Sequence, residues 1–214
     1  MEQTENPARE HILQRIRKAL SAPAEHPSTP TDERLFAPVS EILERFEAEC
    51  AGNHTECVLT TDSWATAQAV AEVLRSTPAG EVFMQDAPSL RRLAANLADR
   101  TIHWSSNGRP SEEVQATVTL AEALVAQTGS IFVSSACGGR AATVAAPVHV
   151  VVANRAQLVP DLQTLFAQVS HDDNMLKNSM LCLTTGSSRT GDIEKILVLG
   201  AHGPRRLVVV LQEE

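Results

Sequence analysis

The sequence predicts an α/β fold in which a parallel or mixed sheet is covered by helices. Two observations carry this. From Glu56 onward, short apolar runs of strand length alternate with stretches whose apolar residues recur at helical spacing. The runs Val150–Ala153 and Leu207–Leu211 are apolar without alternation, the pattern of strands buried on both faces.

In chain order, Pro7–Leu20 has Ile12, Leu13, Ile16 and Leu20 on one face of an amphipathic helix. Residues 21–31 hold three prolines among small polar residues and form a linker. The expected organisation is therefore a helix-and-linker segment, 1–31, and one α/β domain, 32–214. Glu33–Cys50 is a second helix, with Leu35, Val39, Ile42, Leu43 and Phe46 as its apolar face, stopped by Gly52-Asn53. Glu56–Thr60 is a strand. Asp62-Ser63 caps a helix running to Ser76. Gly80–Gln85, Thr101–Trp104 and Gln115–Thr119 are strands, with Pro88–Asp99 a helix between the first two. Leu120–Ala126 reads as a short helical turn, and Gln127–Ser130 as a tight turn into the strand Ile131–Val133. A glycine-rich turn ends at Arg140, Pro147-Val148-His149 opens the next strand, and Pro160–Val169 is a helix begun by Pro160-Asp161. Ser170–Lys177 is a polar loop. Met180–Leu183 and Leu207–Leu211 are buried strands.

The chain of 214 residues is 43% hydrophobic, enough for one core, and carries a net charge of -8. That balance argues against a nucleic-acid partner, which selects a basic face. No apolar run reaches the ~20 residues of a membrane span, and the charged start, Glu2, Glu5, Arg9 and Glu10, is unlike a secretory leader. A cytoplasmic protein is expected. Cys50, Cys57, Cys137 and Cys182 show no Cys-x-x-Cys spacing, so no zinc or iron–sulfur site, and no other metal site, is expected within the chain. Most of these cysteines read as small buried hydrophobes; Cys137, before Gly138-Gly139-Arg140, is the one to weigh as a free thiol nucleophile, although no base is evidently paired with it. There is also no Gly-x-Gly-x-x-Gly dinucleotide fingerprint.

The stretch Thr184–Arg206 has a mixture no core requires: glycines, hydroxyls, both signs of charge and one histidine. Ser187, Ser188, Thr190 and Asp192 are N-cap residue types, so a short helix is expected to start here. Gly186 and Gly191 permit positive φ and close approach to a ligand. The first turn of a helix offers free N–H groups to a phosphate or carboxylate, and Arg189 adds a guanidinium fork. Between Gly186 and Arg206 the basic residues Arg189, Lys195, Arg205 and Arg206 outnumber Asp192 and Glu194. The plainer alternative is a capped surface turn with solvated charges. His202, between Ala201 and Gly203, is either a proton shuttle or a turn residue. Asp192 caps or orients Arg189. Glu194 pairs with a cation or takes a proton. His149 reads as a structural histidine, and Arg140 joins the basic cluster only if the two glycine-rich turns meet.

Thr128-Gly129-Ser130, Pro147-Val148-His149, Val159-Pro160-Asp161, Gly186–Glu194 and Gly200–Leu207, in that order, resemble the LUD family of lactate-utilization proteins, in particular its small LutC/YkgG type. The resemblance covers close to half the chain, from about Thr117 onward. It implies a three-layer α/β/α domain with a mostly parallel sheet, similar to ribose-phosphate isomerases, glucosamine-phosphate deaminases and CoA transferases. It implies a role beside two iron–sulfur partner proteins in oxidising L-lactate to pyruvate, with the clusters held by the partners. The chain departs from the family pattern at Gln127, Ser187 and Gly191. If Gln127 occupies the place of the CoA-transferase glutamate, acyl transfer through it is excluded, because an amide forms no anhydride.

The candidate acid/base residues are His202, Asp192 and Glu194. The candidate ligand-binding set is Gly129, Gly186, Ser187, Ser188, Arg189, Thr190, Gly203 and Arg205. Three readings stay open: an accessory subunit of a lactate-oxidising system that binds a small anion, an independent enzyme acting on a phosphorylated or carboxylate substrate, and a non-catalytic assembly module.

Overall fold

The computed structural model describes residues 7–21, 37–97, 100–190, 198–199 and 203–213. The chain divides into two compact units, Met1–Phe36 and Ala37–Glu214. In the first, α1 (Pro7–Leu20) has its apolar stripe of Ile12, Ile16 and Leu20 exposed.

The second unit is built on six parallel strands in the order β1-β12-β7-β4-β2-β3. These are β1 (Thr55–Thr60), β2 (Glu81–Met84), β3 (Ile102–Trp104), β4 (Val114–Leu120), β7 (Val148–Asn154) and β12 (Arg206–Gln212). The valine-rich β7 and β12 lie inside the sheet, as their unbroken apolar runs require. One face carries α3 (Ser63–Arg75) and α4 (Pro88–Ala94), packed through Val70, Leu74 and Leu90 onto Val82, Val118, Val150 and Val208. The opposite face packs Val151, Leu207 and Val209 against Phe46 of α2 (Ile42–Gly52) and against a second sheet. That sheet has the order β8-β5-β6-β9, from β5 (Ala123–Val125), β6 (Ser130–Ser134), β8 (Leu158–Val159) and β9 (Leu181–Thr185). Its pairings are antiparallel except β5 with β8. The short α5 (Arg140–Val144) follows β6, and α6 (Leu162–Ser170) follows β8 and packs Leu165 and Val169 on Val125 and Phe132. The result is an α/β fold with a parallel sheet flanked by helices, to which a small mixed sheet is added.

The cap expected at Asp62 is present: its carboxylate accepts from the Ala65 N–H at 2.7 Å. Asp62→Ala should therefore cost about 1 kcal/mol, read as a lowered urea midpoint at unchanged slope.

Several elements differ from the expectation. The second helix starts at Ile42, not Glu33; Ala37–Glu41 are non-helical, and residues 33–36 lie outside the described set. Pro38 disfavours helical backbone at Ala37. The fourth helix stops at Ala94, short of Asp99, which also lies outside the described residues. Leu120–Ala126 is no helical turn but contains β5, whose Leu124 and Val125 are fully buried between strands on both sides. Helix propensity is worth tenths of a kcal/mol here, and two-sided burial outweighs it. The loop after Ser170 contains one helical turn, α7 (Asp173–Leu176), capped by Asp172. Strand β9 is not buried: it forms an edge, with Leu181 and Leu183 exposed. The helix start expected at Ser187–Thr190 is replaced by a bend and a strand, β10 (Arg189–Thr190), paired antiparallel with β11 (Val198–Leu199).

Candidate functional site

Four separated segments meet at the amino ends of the parallel strands. The first is the end of α2. Asn53 donates its N–H to Glu49 O at 3.0 Å, and His54 turns the chain with φ 57. The second is the β5–β6 turn at Thr128-Gly129. Asn53 Nδ2 donates to Thr128 O at 3.0 Å. Gly129 has φ 62, and a Cβ there would lie 2.8 Å from Cys50 N and Glu49 C. Packing against the end of α2 therefore requires glycine here.

The third segment is Gly186–Arg189. Gly186 has φ 80, and an added Cβ would overlap the Asn53 carbonyl oxygen. That same oxygen accepts from Arg189 Nη2 at 3.3 Å. Ser187 is buried and Arg189 exposed. The fourth segment is Gly203–Arg206, which leads into β12. Ser188 donates its N–H to Pro204 O at 2.8 Å, and a Cβ on Gly203 would touch Ser188 Cβ at 3.2 Å. Arg205 and Arg206 both donate main-chain N–H groups to Pro147 O, at 2.8 and 3.1 Å. Beneath the junction a row of hydroxyls, Thr128, Ser130 and Thr185, is linked at 2.7 and 2.6 Å.

Gly129, Gly186, Ser187, Ser188, Arg189, Gly203 and Arg205 are thus drawn into one region. The backbone of Thr190 continues it in β10. Asp192, Glu194 and His202 lie outside the described residues, as do Gly191, Lys195, Gly200 and Ala201. Two details change the expected chemistry. The Ser188 amide is already bonded to Pro204, so it is not a free donor. Arg206 is committed to a forked pair with Glu56, at 2.6 and 2.7 Å, and to Ser76 Oγ at 2.7 Å. Among the described residues, the exposed cations here are Arg189 and Arg205. Arg140 does not join them. Ser130 pairs with Thr185 and Ser134 with Leu181, so the Gly138-Gly139 turn lies at the other end of β6 from Gly186.

Two further residues singled out by sequence are both buried in the fold. Cys137 is buried, and burial pushes its thiol up to about 11. It is protonated at neutral pH and is not a ready nucleophile. His149 is fully buried, and burial lowers its imidazole to about 4. Its Nε2 meets Thr119 Oγ1 at 2.8 Å, while Nδ1 has no partner among the described residues. It is a neutral core histidine, only half satisfied.

Ligands of parallel α/β sheets usually bind at the carboxyl ends of the strands. The junction lies at the opposite ends. The carboxyl ends of β7 and β12 adjoin a cleft of about 300 Å³ between α3 and α4, lined by Trp64, Ser89, Arg92, Asn96, Val152 and Gln212. No motif pointed to it; the exposed Trp64 beside the Asp62 cap was the one available signal.

The chain is 27% identical over 188 residues to Lactate utilization protein C of Geobacillus sp. (strain WCH70), covering 80% of this chain and 78% of that one. It is 23% identical to Lactate utilization protein C of Bacillus subtilis (strain 168), covering 94% and 95%. Its fold matches the crystal structure of a DUF162 family protein from Deinococcus radiodurans, with a TM-score of 0.60 and 19% identity over 82% of this chain and 99% of that one. The LUD domain matches residues 43–212, which takes in both sheets, both flanking helices and all four segments of the junction, and the chain belongs to the LUD domain family.

Proposed function

We propose that the protein serves lactate utilization as an accessory subunit of an iron–sulfur L-lactate oxidation system. The observation that carries this is the similarity, over 80% and 94% of the chain, to two relatives named Lactate utilization protein C. On this reading the protein is cytoplasmic and works beside cluster-bearing partners. It holds a small carboxylate or phosphate where Gly186–Arg189 meets Gly203–Arg205. The Ser188–Pro204 bond supports that placement, since it fixes the two loops together and leaves Arg189 and Arg205 exposed beside them. His202, Asp192 and Glu194 are the proposed acid/base groups.

Deletion of the gene should abolish growth on L-lactate, and the wild-type copy should restore it. A copy carrying Arg189→Ala and Arg205→Ala should restore growth at least tenfold more slowly while accumulating to the same level. Full growth of the deletion strain ends the lactate assignment. Full rescue by the double variant ends the anion role of the junction. Iron analysis of proteins co-purified from the native host tests the partners.

A second reading is favoured by the carboxyl-end cleft: an independent enzyme whose phosphorylated or carboxylate substrate meets Arg92. The guanidinium of Arg92 makes no ion pair with any described residue. Turnover by the purified chain without partners, lost in Arg92→Ala, would select it.

A further inference from the structure

The Gly138-Gly139 turn does something its distance from the junction leaves unexplained. Both glycines have left-handed backbone, with φ 112 and 84. A Cβ on Gly138 would lie 2.8 Å from Phe83 Cε1 and 3.0 Å from Ser105 Cβ. The absent side chain lets the turn press onto the sheet and onto the loop that follows β3. That loop carries Arg109, and the turn leads directly into Arg140. On the far side, Ser135 fixes the segment before β9. Its N–H donates to Met180 O at 2.9 Å, and its Oγ accepts from the Ser179 N–H at 3.2 Å. Ser135 Oγ also donates to Asn178 Oδ1 at 3.0 Å.

These three segments border an open hollow of about 570 Å³ lined by Arg109, Gly139, Arg140, Val144, Ser179 and Met180. The volume falls in the range of small-molecule sites. No carboxylate lines it. Neither guanidinium makes a hydrogen bond or ion pair with a described residue. Elsewhere in this acidic chain Arg45, Arg75, Arg91 and Arg206 each meet a carboxylate. Two like charges held at one concavity repel, and an anion between them converts that repulsion into two charge-assisted forks. Val144 and Met180 give the hollow an apolar wall.

We propose that this hollow binds a small metabolite bearing a carboxylate or phosphate group, gripped between Arg109 and Arg140, with a short hydrocarbon portion against Val144 and Met180. The site is separate from the Gly186 junction. Roughly 13 Å of β6 lies between the two ends, and the proposal does not depend on a role in lactate use.

Calorimetric titration of the full chain with inorganic phosphate, and separately with succinate, tests it. At least one probe should bind saturably. Arg109→Gln with Arg140→Gln should weaken that binding at least tenfold, at an unchanged melting temperature. Arg140→Lys, which keeps the charge and loses the fork, should fall between. Arg75→Gln, at a surface arginine paired with Glu72 and outside both the hollow and the junction, should leave the affinity within twofold. Absence of saturable binding by both probes overturns the site, as does binding unchanged in the double variant. Binding lost in Arg189→Ala alone assigns the anion to the junction and likewise overturns it. So does capture of an acidic peptide with neither small anion bound. Growth on L-lactate reads the other proposal, so the two fail independently.

Discussion

Gly186→Ala is expected to destabilise the protein by on the order of 3 kcal/mol and to loosen the junction around Arg189. Two costs combine. The backbone sits at φ 80, where a Cβ is strained by roughly 1–2 kcal/mol. The added methyl also overlaps the carbonyl oxygen of Asn53, a main-chain atom that cannot swing aside. Asn53 is held by its bonds to the end of α2 and to Thr128, so relief requires one of those contacts to open. For a domain of this size the melting temperature should fall by roughly 6–12 °C. Gly129→Ala, at φ 62 against the backbone of Glu49 and Cys50, should behave alike. Gly52→Ala is the control, since a Cβ there meets nothing within 4 Å. Urea unfolding of the three variants checks the order. A Gly186→Ala protein within 0.5 kcal/mol of wild type would contradict the description of the junction.

Acidification is the second large effect, and His149 is its source. The imidazole is lowered by burial to about 4 in the fold, against 6.5 as its ordinary value. The unfolded chain therefore takes up a proton at this position below pH 6.5, while the folded chain does not until about pH 4. Stability from this group is fully present above pH 6.5, declines as the pH falls toward 4, and levels off below. At 1.36 kcal/mol per pH unit the whole decline is roughly 3 kcal/mol. Thr119 hydrogen-bonds Nε2, and the register neighbours of His149 on the two adjoining strands are Thr117 and Leu207, so no carboxylate in register offsets the charge. Unfolding free energy measured from pH 7.5 to 4 should fall more steeply for wild type than for His149→Gln. Parallel curves would show that the histidine contributes nothing to the acid limb.

Some of this architecture was open to sequence reasoning, because local chemistry decided it. The cap at Asp62, the apolar runs of β7 and β12 and the Asp161 start of α6 all follow from residues within one turn or strand. What escaped depends on distant partners. Leu120–Ala126 looks helical until β6 and β8 are placed beside it. Ser187-Ser188-Arg189 looks like a helix cap until Pro204 takes the Ser188 amide and Leu199 pairs with Arg189. At the site, the motif residues on either side of the junction could be picked out, and the anchor could not. Asn53 joins three turns, yet in the sequence it is one polar residue after a helix, 133 positions before Gly186. The hollow at Arg109 and Arg140 was equally hidden, since only the missing Cβ of Gly138 brings the two loops together.

The order of strands in the large sheet bears on how the chain reaches this state. Strand β1 is an outer strand whose sheet partner is β12, so Thr55 waits for Leu207 and Thr60 for Gln212. A nascent or interrupted chain that has not reached Arg206 leaves β1 with no neighbour and bares one margin of β7, with its run of valines, to any passing chain. Such long-range pairing slows folding. Synthesis is therefore the stage at which this protein most needs a chaperone and is most open to aggregation.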